Sequence, residues 1–593
     1  MADPVKAADD YWSKLDGEAT ATKDAAVDRK ILVAVDFGTT FSGIAWAQTK
    51  KPDIQTTIIQ WPDSEGNGME GITSDKVPTE LRYDKGGLPK WGFQLDDSAP
   101  RYQWFKLDLD PNQSRGVSAL AKQFPSRNAL PPGYNVAAQN LVTDYLLALR
   151  KHTEYILNNK LPKGVLRSTP VEYVITVPAV WSEKARDQTR KCAEAAGMGG
   201  DRKLHMISEP EAAAMYALDA MDPHCLNIGD TFVLCDAGGG TVDLISYTIR
   251  SLNPLEVDEA APGTGSLCGS TYLNRIFQKT LEDKFADDED WDEEILEEAM
   301  KRFDTDTKRL FNGESSAETF TIPVHGLRDN ATLGIKKGRL RMTRAEIQAI
   351  FEPVISEVLS LVQGQIEASR ATPKAVLLVG GFGQSAYLRD RIRAMVGADM
   401  EVLQSPNAWT AIVRGALMKG LAEAVPTLAT VRVRTRSARK SYGTVCGVPY
   451  IDGVHNVVHK YYDSFSGRDL CKGMHWMVSK GTAMTEEEPT LFQFWSIKRV
   501  AEGPPKRVDA VLYSFAGAGK EPAHANLDVI NIAALRGDFS CIPADKITQR
   551  RGEDGVMWYV LDYAIAMTCY SAHTKWELVY NDVKYAAVTA EYL

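Results

Sequence analysis

The segment from Ile31 to about Pro426 alternates short, β-type apolar runs with stretches of helical periodicity. This order predicts an α/β architecture, in which strands and helices follow each other along the chain. Thr343 and Glu346 have the spacing of a capping box, which predicts a helix start. The clearest predicted strands are Ile31–Val35, Tyr173–Val177, Thr231–Leu234 and Ala375–Val379, and the clearest helices are Glu183–Ala196, Glu211–Met221, Thr343–Ala368 and Thr410–Leu421.

From about Val431 onward, runs rich in β-branched and aromatic residues are separated by Gly, Pro and Asp, and helical periodicity is weak. This pattern predicts a separate all-β domain over residues 430–593, a sandwich or a small barrel. Residues 1–28 are polar and predict a flexible N-terminal arm. The predicted strands of the β domain are Asn456–Tyr462, Met474–Val478, Thr490–Ile497, Arg507–Phe515 and Val556–Tyr563.

The boundary between these two regions is basic. Its charge predicts either a solvated strand edge or linker, since charge protects exposed edges, or a contact surface for an acidic partner or nucleic acid. The residues concerned are Arg432, Arg434, Arg436, Arg439 and Lys440.

Composition narrows the function classes. The 593 residues are 44% hydrophobic and 25% charged, as in soluble globular proteins. The net charge of −10 argues against binding of nucleic acid through the overall charge of the protein. We find no apolar run near the ~20 residues of a membrane helix and no signal peptide, so we expect no membrane association and a cytoplasmic location. No two cysteines have CxxC spacing, which argues against a structural zinc site.

An internal duplication is the most informative feature. The segments Ile31–Thr40 and Thr231–Thr241 each read as an apolar strand, an aspartate and a Gly/Thr-rich turn. A second β-like run follows each, Phe41–Gln48 and Val242–Ile249, so both copies predict a strand–turn–strand hairpin. The equivalent positions in the two copies are Asp36 and Asp236, and Gly38 and Gly238.

The hairpin form excludes two common nucleotide motifs. A Walker loop and a Rossmann fingerprint both need a helix directly after the glycines, whereas strand follows here. The glycines still let backbone N–H groups approach phosphate oxygens. Thr39, Thr40 and Thr241 add hydroxyl groups, and an aspartate at each strand end suits Mg²⁺.

Three further segments accompany the hairpins. Residues 378–385 form a glycine cluster between an apolar strand and a helix, which suits approach of the backbone to a nucleoside. Residues 209–214 and 411–416 are rich in small residues and predict two helices that cross closely. A close crossing fits either a hinge between two lobes or a tightly packed core.

Together these five segments resemble, in order, the signature segments of the actin, sugar-kinase and heat-shock ATPase superfamily. The strings Asp36-Phe37-Gly38-Thr39-Thr40 and Asp236-Ala237-Gly238-Gly239-Gly240-Thr241-Val242-Asp243 are most similar to the seventy-kilodalton heat-shock chaperones. So are Val177-Pro178-Ala179-Val180-Trp181 and Ser208-Glu209-Pro210-Glu211-Ala212-Ala213-Ala214. The resemblance covers roughly residues 28–425.

The resemblance implies a two-lobed, actin-like ATPase domain at 29–425 with ribonuclease-H-like sheets and with ATP or ADP and Mg²⁺ in the cleft. The lobes would be 29–210 plus 400–425, and 211–399. It assigns catalytic roles to Lys106, Glu209, Asp236, Asp243 and Thr241, with Lys106 facing the γ-phosphate, and metal binding to Asp36 and Asp236. It assigns nucleotide contacts to Gly38, Thr39, Thr40, Gly238, Gly239, Gly240, Lys308, Arg309, Gly380, Gly381 and Phe382.

Two departures indicate an atypical, lidless branch. The acidic, leucine-rich linker of these chaperones is absent, and no long helical lid follows the β domain. We therefore expect a chaperone-like ATPase that hydrolyses ATP slowly, with protein clients or a dedicated partner and possible co-chaperones. Two alternatives remain open. One is a nucleotide-sensing regulatory scaffold, and the other is a small-molecule, sugar-type kinase, for which Asp243 could serve as the base.

Overall fold

A computed structural model describes residues 28–64, 69–83, 89–95, 101–110, 120, 123–124, 136–199, 204–220, 226–486, 488–517 and 519–584. The chain divides into two compact units, residues 1–432 and 433–593. The division lies beside the boundary expected from the sequence, while the finer domain limits stay predictions. The expected N-terminal arm falls outside the described residues except for Asp28.

The first sheet of the larger unit is built around the hairpin Ile31–Asp36/Phe41–Gln48, here called the first hairpin. Ile31–Asp36 pairs parallel with Val171–Val177, which pairs parallel with Leu204–Ser208. On the other side, Phe41–Gln48 pairs antiparallel with Lys51–Thr57. The strand Ile31–Asp36 is buried along its whole length, as expected for an apolar strand covered on both faces.

The second sheet repeats this arrangement around the hairpin Thr231–Ala237/Val242–Leu252, the second hairpin. Thr231–Ala237 pairs parallel with Ala375–Val379, which pairs parallel with Glu401–Gln404. Val242–Leu252 pairs antiparallel with Leu255–Ser266. The five strands named in each sheet therefore share order and direction, and the duplication read from the sequence extends to the topology of these strands.

Each sheet has its own hydrophobic core. The first sheet packs with the helix Ala138–Lys160, whose Tyr145 and Leu149 are fully buried. The second packs with the helix Arg344–Ala368, whose Phe351 and Val358 are equally buried. Apolar residues along one side of each helix supply this packing.

Two short helices cross at very close range. Glu209–Ala220 and Ala411–Ala424, the crossing helices, meet where Gly415 faces the backbone of Ala212. A Cβ atom at Gly415 would lie 1.7 Å from the Ala212 carbonyl oxygen, far inside van der Waals contact. The small residues of both helices therefore permit an approach that larger side chains would prevent.

The predicted elements agree with the structure in position and differ at their ends. The capping box of Thr343 and Glu346 is present. The α-helix Glu183–Ala193 ends before the predicted Ala196. A wider, π-type helical turn, Glu194–Met198, follows it directly. Gly197, at a φ of +83°, interrupts helical backbone geometry there.

The remaining described elements of the larger unit are short or flank the sheets. Its other helices are Val165–Ser168, Thr271–Lys284, Glu293–Arg302, Lys308–Leu310 and Ala386–Val396. Its other strands are Gln60–Trp61, Ile72–Thr73, Val77–Pro78, Glu80–Arg82, Lys90–Trp91, Tyr102–Gln103, Thr319–Pro323 and Arg339–Thr343.

The described part of the smaller unit consists of strands, turns and short 3₁₀ helices. Two sheets contribute Leu512, Leu535, Leu561 and Ile565 to one core, and all four side chains are buried. The first sheet orders Lys460–Asp463, Arg468–Val478, Ser441–Pro449, Arg507–Phe515 and Val529–Asp538. The second orders Thr490–Arg499, Met557–Cys569, Thr574–Tyr580 and Val583–Lys584, with Thr548–Arg551 paired to Met557–Cys569.

Two expectations for this region need correction. The predicted strand Asn456–Tyr462 begins only at Lys460, because Val457–His459 forms a 3₁₀ turn. Arg436, expected on a solvated edge or contact surface, is a buried side chain with its guanidinium 3.0 Å from a Glu486 carboxylate oxygen. Burial of a charged group requires such a partner, so this arginine has a structural role.

None of the described helices has the length and apolar character needed to cross a bilayer.

The close helix crossing predicts the effect of a single methyl group. Gly415→Ala forces the crossing helices apart and should lower the free energy of unfolding by about 2 kcal/mol. Gly364→Ala is the matched control, because a Cβ there has no atom within 4 Å, and it should be neutral or slightly stabilising. Thermal unfolding of the full chain measures both. Equal melting temperatures for the two variants would contradict the assignment.

Candidate functional site

The two hairpins present their aspartates and glycine turns at equivalent positions. Asp36 ends the first strand of one hairpin, and Asp236 stands at the same place in the other. Backbone pairing sets Asp36 opposite Gly43 and Asp236 opposite Asp243. The hairpins therefore differ at one register position, where one carries glycine and the other a carboxylate.

The turns of the two hairpins touch each other. A Cβ at Gly239 would lie 2.2 Å from Thr40 Oγ1, and a Cβ at Gly240 would lie 2.7 Å from Thr39 Cγ2. Real side chains cannot reach such distances without displacement of a neighbour. The glycines of the second turn thus allow the threonines of the first turn to pack directly against its backbone.

A cleft of about 1530 Å³ opens at these turns. It contains Asp36 and Asp236 together, as expected if both serve one ligand. The predicted site residues that line it are Asp36, Gly38, Thr39, Thr40, Glu209, Asp236, Gly238, Gly239, Gly240, Thr241, Lys308, Arg309, Gly380, Gly381 and Phe382.

Lys106 and Asp243 lie behind this wall. The Lys106 side chain is 1% exposed, and its ammonium donates to Phe37 O at 2.5 Å and to Glu209 Oε1 at 2.6 Å. It also lies 5.3 Å from the ring centroid of Trp181, within cation–π range. Asp243 is buried and accepts from Val180 N at 3.4 Å. The structure therefore groups Lys106 with Glu209 and separates its ammonium from the cleft surface.

Glu209 is the titratable group best placed to change its protonation near neutral pH. Burial raises the pKa of Glu209 to about 7, while the ammonium of Lys106 acts in the opposite direction. The nearby carboxylates of Asp243 and Asp36 raise the pKa further. Since Glu209 lines the cleft, a proton can be held or released there at physiological pH.

Asp236 has the chemistry of a cation ligand. Burial, and then the carboxylates of Glu209, Asp243 and Asp36, raise the pKa of Asp236 well above its ordinary value. Its Oδ1 atom is buried and has no hydrogen-bond partner in the part of the chain that the structure describes. A hard divalent cation or one of its water ligands would satisfy this oxygen.

Unlike Oδ1 of Asp236, both carboxylate oxygens of Asp36 have partners within the protein. Its Oδ2 atom pairs with Lys76 Nζ at 2.5 Å, and its Oδ1 accepts from Thr176 Oγ1 at 3.2 Å. Among the described residues, no cluster of three or more His, Cys, Asp or Glu side chains could hold a metal by itself. The donor set therefore fits Mg²⁺, which takes one or two carboxylates and completes its shell with water and phosphate oxygens.

The third glycine cluster closes against the second hairpin. Gly380 has a φ of +82°, and a Cβ there would lie 2.6 Å from Asp236 Oδ1. Trp409 approaches Gly381 from the other side, and its ring centroid is 5.7 Å from that of Phe41 in the first hairpin. The cluster thus contacts the second hairpin directly, and Trp409 links it to the first hairpin.

The two predicted basic contacts have different surroundings. Lys308 Nζ donates to Asn274 Oδ1 at 3.0 Å and pairs with Asp304. Arg309 is exposed at the rim of the cleft. Both line the cleft, and their roles stay predictions.

Sequence reasoning missed four cationic residues of the cleft wall, Lys76, Arg101, Arg275 and Lys301. Arg275 stacks on Trp104 and Tyr272, with its guanidinium carbon 4.6 and 4.7 Å from the ring centroids. Lys76 directly precedes the β-type Val77-Pro78 pair. A lone lysine beside apolar strand residues is the one signal that could have marked it.

The Glu209 environment predicts a measurable titration. Lys106→Met removes the nearest cation and should move the Glu209 midpoint from about 7 to higher pH. Infrared difference spectroscopy of the protonated-carboxyl band follows this titration, and Glu209→Gln identifies the band. Lys163→Met, at an exposed lysine, should leave the midpoint in place. An unchanged midpoint in Lys106→Met would contradict the coupling.

Comparison with known proteins agrees with the resemblance. A sequence model of the family described as "Hsp70 protein" matches residues 133–425. The match includes the second hairpin, the third glycine cluster and both crossing helices, and it begins after the first hairpin.

Individual relatives extend the likeness beyond that segment. "Heat shock 70 kDa protein 12A" of Homo sapiens is 25% identical over 512 residues, which cover 72% of this chain and 73% of the relative. "Heat shock 70 kDa protein 12B" of Homo sapiens is 24% identical, with 72% of each chain covered. "Chaperone protein HscA" of Pectobacterium carotovorum is 26% identical over 62% of this chain and 54% of its own length. The chain is a divergent member of the Hsp70 family.

Proposed function

We propose that the cleft binds ATP and ADP with Mg²⁺, that bound ATP is hydrolysed slowly, and that nucleotide state controls the binding of a protein client. The observation that carries this proposal is the direct contact of two glycine turns, each beside an aspartate that lines the same cleft. The Hsp70 family, whose members are in general ATP-binding ATPases, supports it.

The turns suit phosphate. Gly38, Gly238 and Gly239 line the cleft with backbone alone, so N–H groups can approach anionic oxygens without obstruction by a Cβ. Thr40 and Thr241 line it as well and offer hydroxyl donors. Because the turns come from two separate sheets, a bound phosphate chain would be held from two sides.

The part of the cleft that contains Asp36 and Asp236, here called the acidic end, fits a divalent metal ion. Asp236, through its unpartnered Oδ1, and Asp36 would hold Mg²⁺ or its waters. A bound Mg²⁺ would neutralise phosphate charge during transfer to water.

Glu209 is the residue that we assign to the attacking water. With a pKa of about 7, its carboxylate can orient water and accept a proton at neutral pH. Lys106 holds one Glu209 oxygen at 2.6 Å and so fixes the orientation of the carboxyl group. Asp243, buried behind the cleft, raises the pKa of Glu209 and thereby tunes this proton transfer.

The burial of Asp243 favours hydrolysis over a small-molecule kinase. A kinase base must reach the acceptor hydroxyl, and Asp243 is 1% exposed and is not among the described residues of the cleft wall. Glu209 instead faces a space of water-accessible size beside the turns. This geometry supports water as the phosphate acceptor.

Client binding would use movement within the larger unit. We infer that the two sheets form two lobes, and that the crossing helices permit rotation of one lobe against the other. The smaller unit would bind the protein client or a dedicated partner. A nucleotide that binds one closure state more tightly shifts the population toward that state.

Asp236 tests the hydrolysis mechanism. Asp236→Asn keeps the side-chain shape and removes the metal-binding charge, so single-turnover phosphate release should fall at least about 100-fold. Asp399→Asn, at an exposed aspartate, serves as the control and should retain the wild-type rate. Turnover of Asp236→Asn at the wild-type rate would exclude Asp236 from the mechanism, and absence of nucleotide binding by the wild type would overturn the proposal.

A further inference from the structure

Lys76 is the lysine that the structure places at the acidic end of the cleft. Its side chain is largely buried and its Nζ lies 2.5 Å from Asp36 Oδ2. Lys76 lines the cleft together with Asp36, Thr39 and Thr40. A positive charge therefore sits beside the first glycine turn, on the surface that faces a ligand.

Backbone pairing fixes Lys76 at this place. The residues that follow it, Val77 and Pro78, pair antiparallel with Ser42 and Phe41 of the first hairpin. Thr79 N then donates to Thr40 O at 2.8 Å. The segment that carries Lys76 is thus tied to the turn itself.

A glycine of the first hairpin leaves space for the Lys76 side chain. Gly43 faces Asp36 across the first hairpin, and a Cβ at Gly43 would lie 3.3 Å from Lys76 Cγ. Asp243 holds the equivalent register position in the second hairpin. The two hairpins therefore differ at this position. The first hairpin has Gly43 next to the Lys76 side chain, whereas the second has the carboxylate of Asp243.

Lys76 and Lys106 differ in the number of ammonium N–H donors that are left for a ligand. Lys106 donates to two protein acceptors, Phe37 O and Glu209 Oε1, and lies behind the cleft wall. Within the described structure, Lys76 has one acceptor, Asp36 Oδ2, and an ammonium carries three donors. Lys76 thus retains donors for an anion in the cleft, whereas Lys106 is committed to positioning Glu209.

We propose that Lys76 is the cation that contacts the terminal phosphates of the nucleotide, and that it supplies part of the charge neutralisation otherwise left to Mg²⁺. This inference rests on the proposed nucleotide function and assigns Lys106 to the positioning of Glu209. Lys76 lies before residues 133–425, the segment matched by the family model. The contact with Asp36 holds the Lys76 side chain in place beside the first glycine turn before the ligand arrives.

The first test uses the wild-type protein and follows covalent labelling. An acyl-phosphate derivative of ATP transfers its acyl group to a lysine amine beside the terminal phosphate, releasing ATP. Peptide mass spectrometry should find the acyl group on Lys76, and excess ADP should suppress it. Labelling of Lys106 instead, or labelling of Lys76 that ADP leaves unchanged, would overturn the assignment.

The second test measures ADP affinity by titration calorimetry, with Mg²⁺ and with EDTA. Lys76→Gln keeps an N–H donor for Asp36 and removes the charge, so metal-free affinity should fall at least about tenfold. The enhancement of affinity by Mg²⁺ should then grow. Lys163→Gln, at an exposed lysine, should match the wild type in both buffers, and circular dichroism should verify that each variant is folded.

The outcomes separate this inference from the proposed function. If folded Lys76→Gln binds ADP like the wild type in both buffers, the role of Lys76 is excluded and the nucleotide site stands. If the wild type binds no adenine nucleotide in either buffer, both conclusions fail.

Discussion

The contact between the two glycine turns is the constraint on which the site depends. Thr39 and Thr40 of the first hairpin occupy space that any Cβ at Gly240 or Gly239 of the second would need. The contact joins two sheets that share the order of five strands and have separate hydrophobic cores. It thereby brings Asp36 and Asp236, which are 200 positions apart in sequence, to one cleft.

Charge is the second organising element. Four carboxyl groups, those of Asp36, Asp236, Asp243 and Glu209, are buried in this region, and isolated buried charge is unfavourable. Lys76 pairs with Asp36, and Lys106 pairs with Glu209. Asp236 retains a buried oxygen without a partner in the described structure. The protein therefore provides two internal cations and leaves an oxygen ligand available for a third, which suits a site for anionic phosphate and its metal.

Local sequence predicted those features that depend on neighbouring residues. Each hairpin is a continuous segment, so the apolar strand, the terminal aspartate and the glycine turn were all readable, and the mixed α/β class is confirmed. The small residues around Ala212 and Gly415 likewise predicted a close helix crossing, because residue size alone limits how near two backbones can come.

Features that form between distant segments could not be predicted from the sequence. Lys76 reaches Asp36 only through the pairing of its segment with the first hairpin, and its place before Val77 and Pro78 does not by itself predict that contact. Arg436 looked like a solvated charge because its partner, Glu486, is 50 residues away. The resemblance gave Lys106 a cleft-facing role, yet its side chain depends on Phe37 and Glu209, whose positions come from folding.

The most direct test of the account is a double-mutant cycle across the turn contact, read as ADP affinity by calorimetry in Mg²⁺. Gly239→Ala introduces a Cβ that meets Thr40 Oγ1 at 2.2 Å, whereas Thr40→Ala removes that oxygen. If the turns hold the nucleotide jointly, Gly239→Ala should weaken binding, and the double variant should bind more tightly than Gly239→Ala alone. Strictly additive effects, or unchanged affinity in Gly239→Ala, would contradict the account.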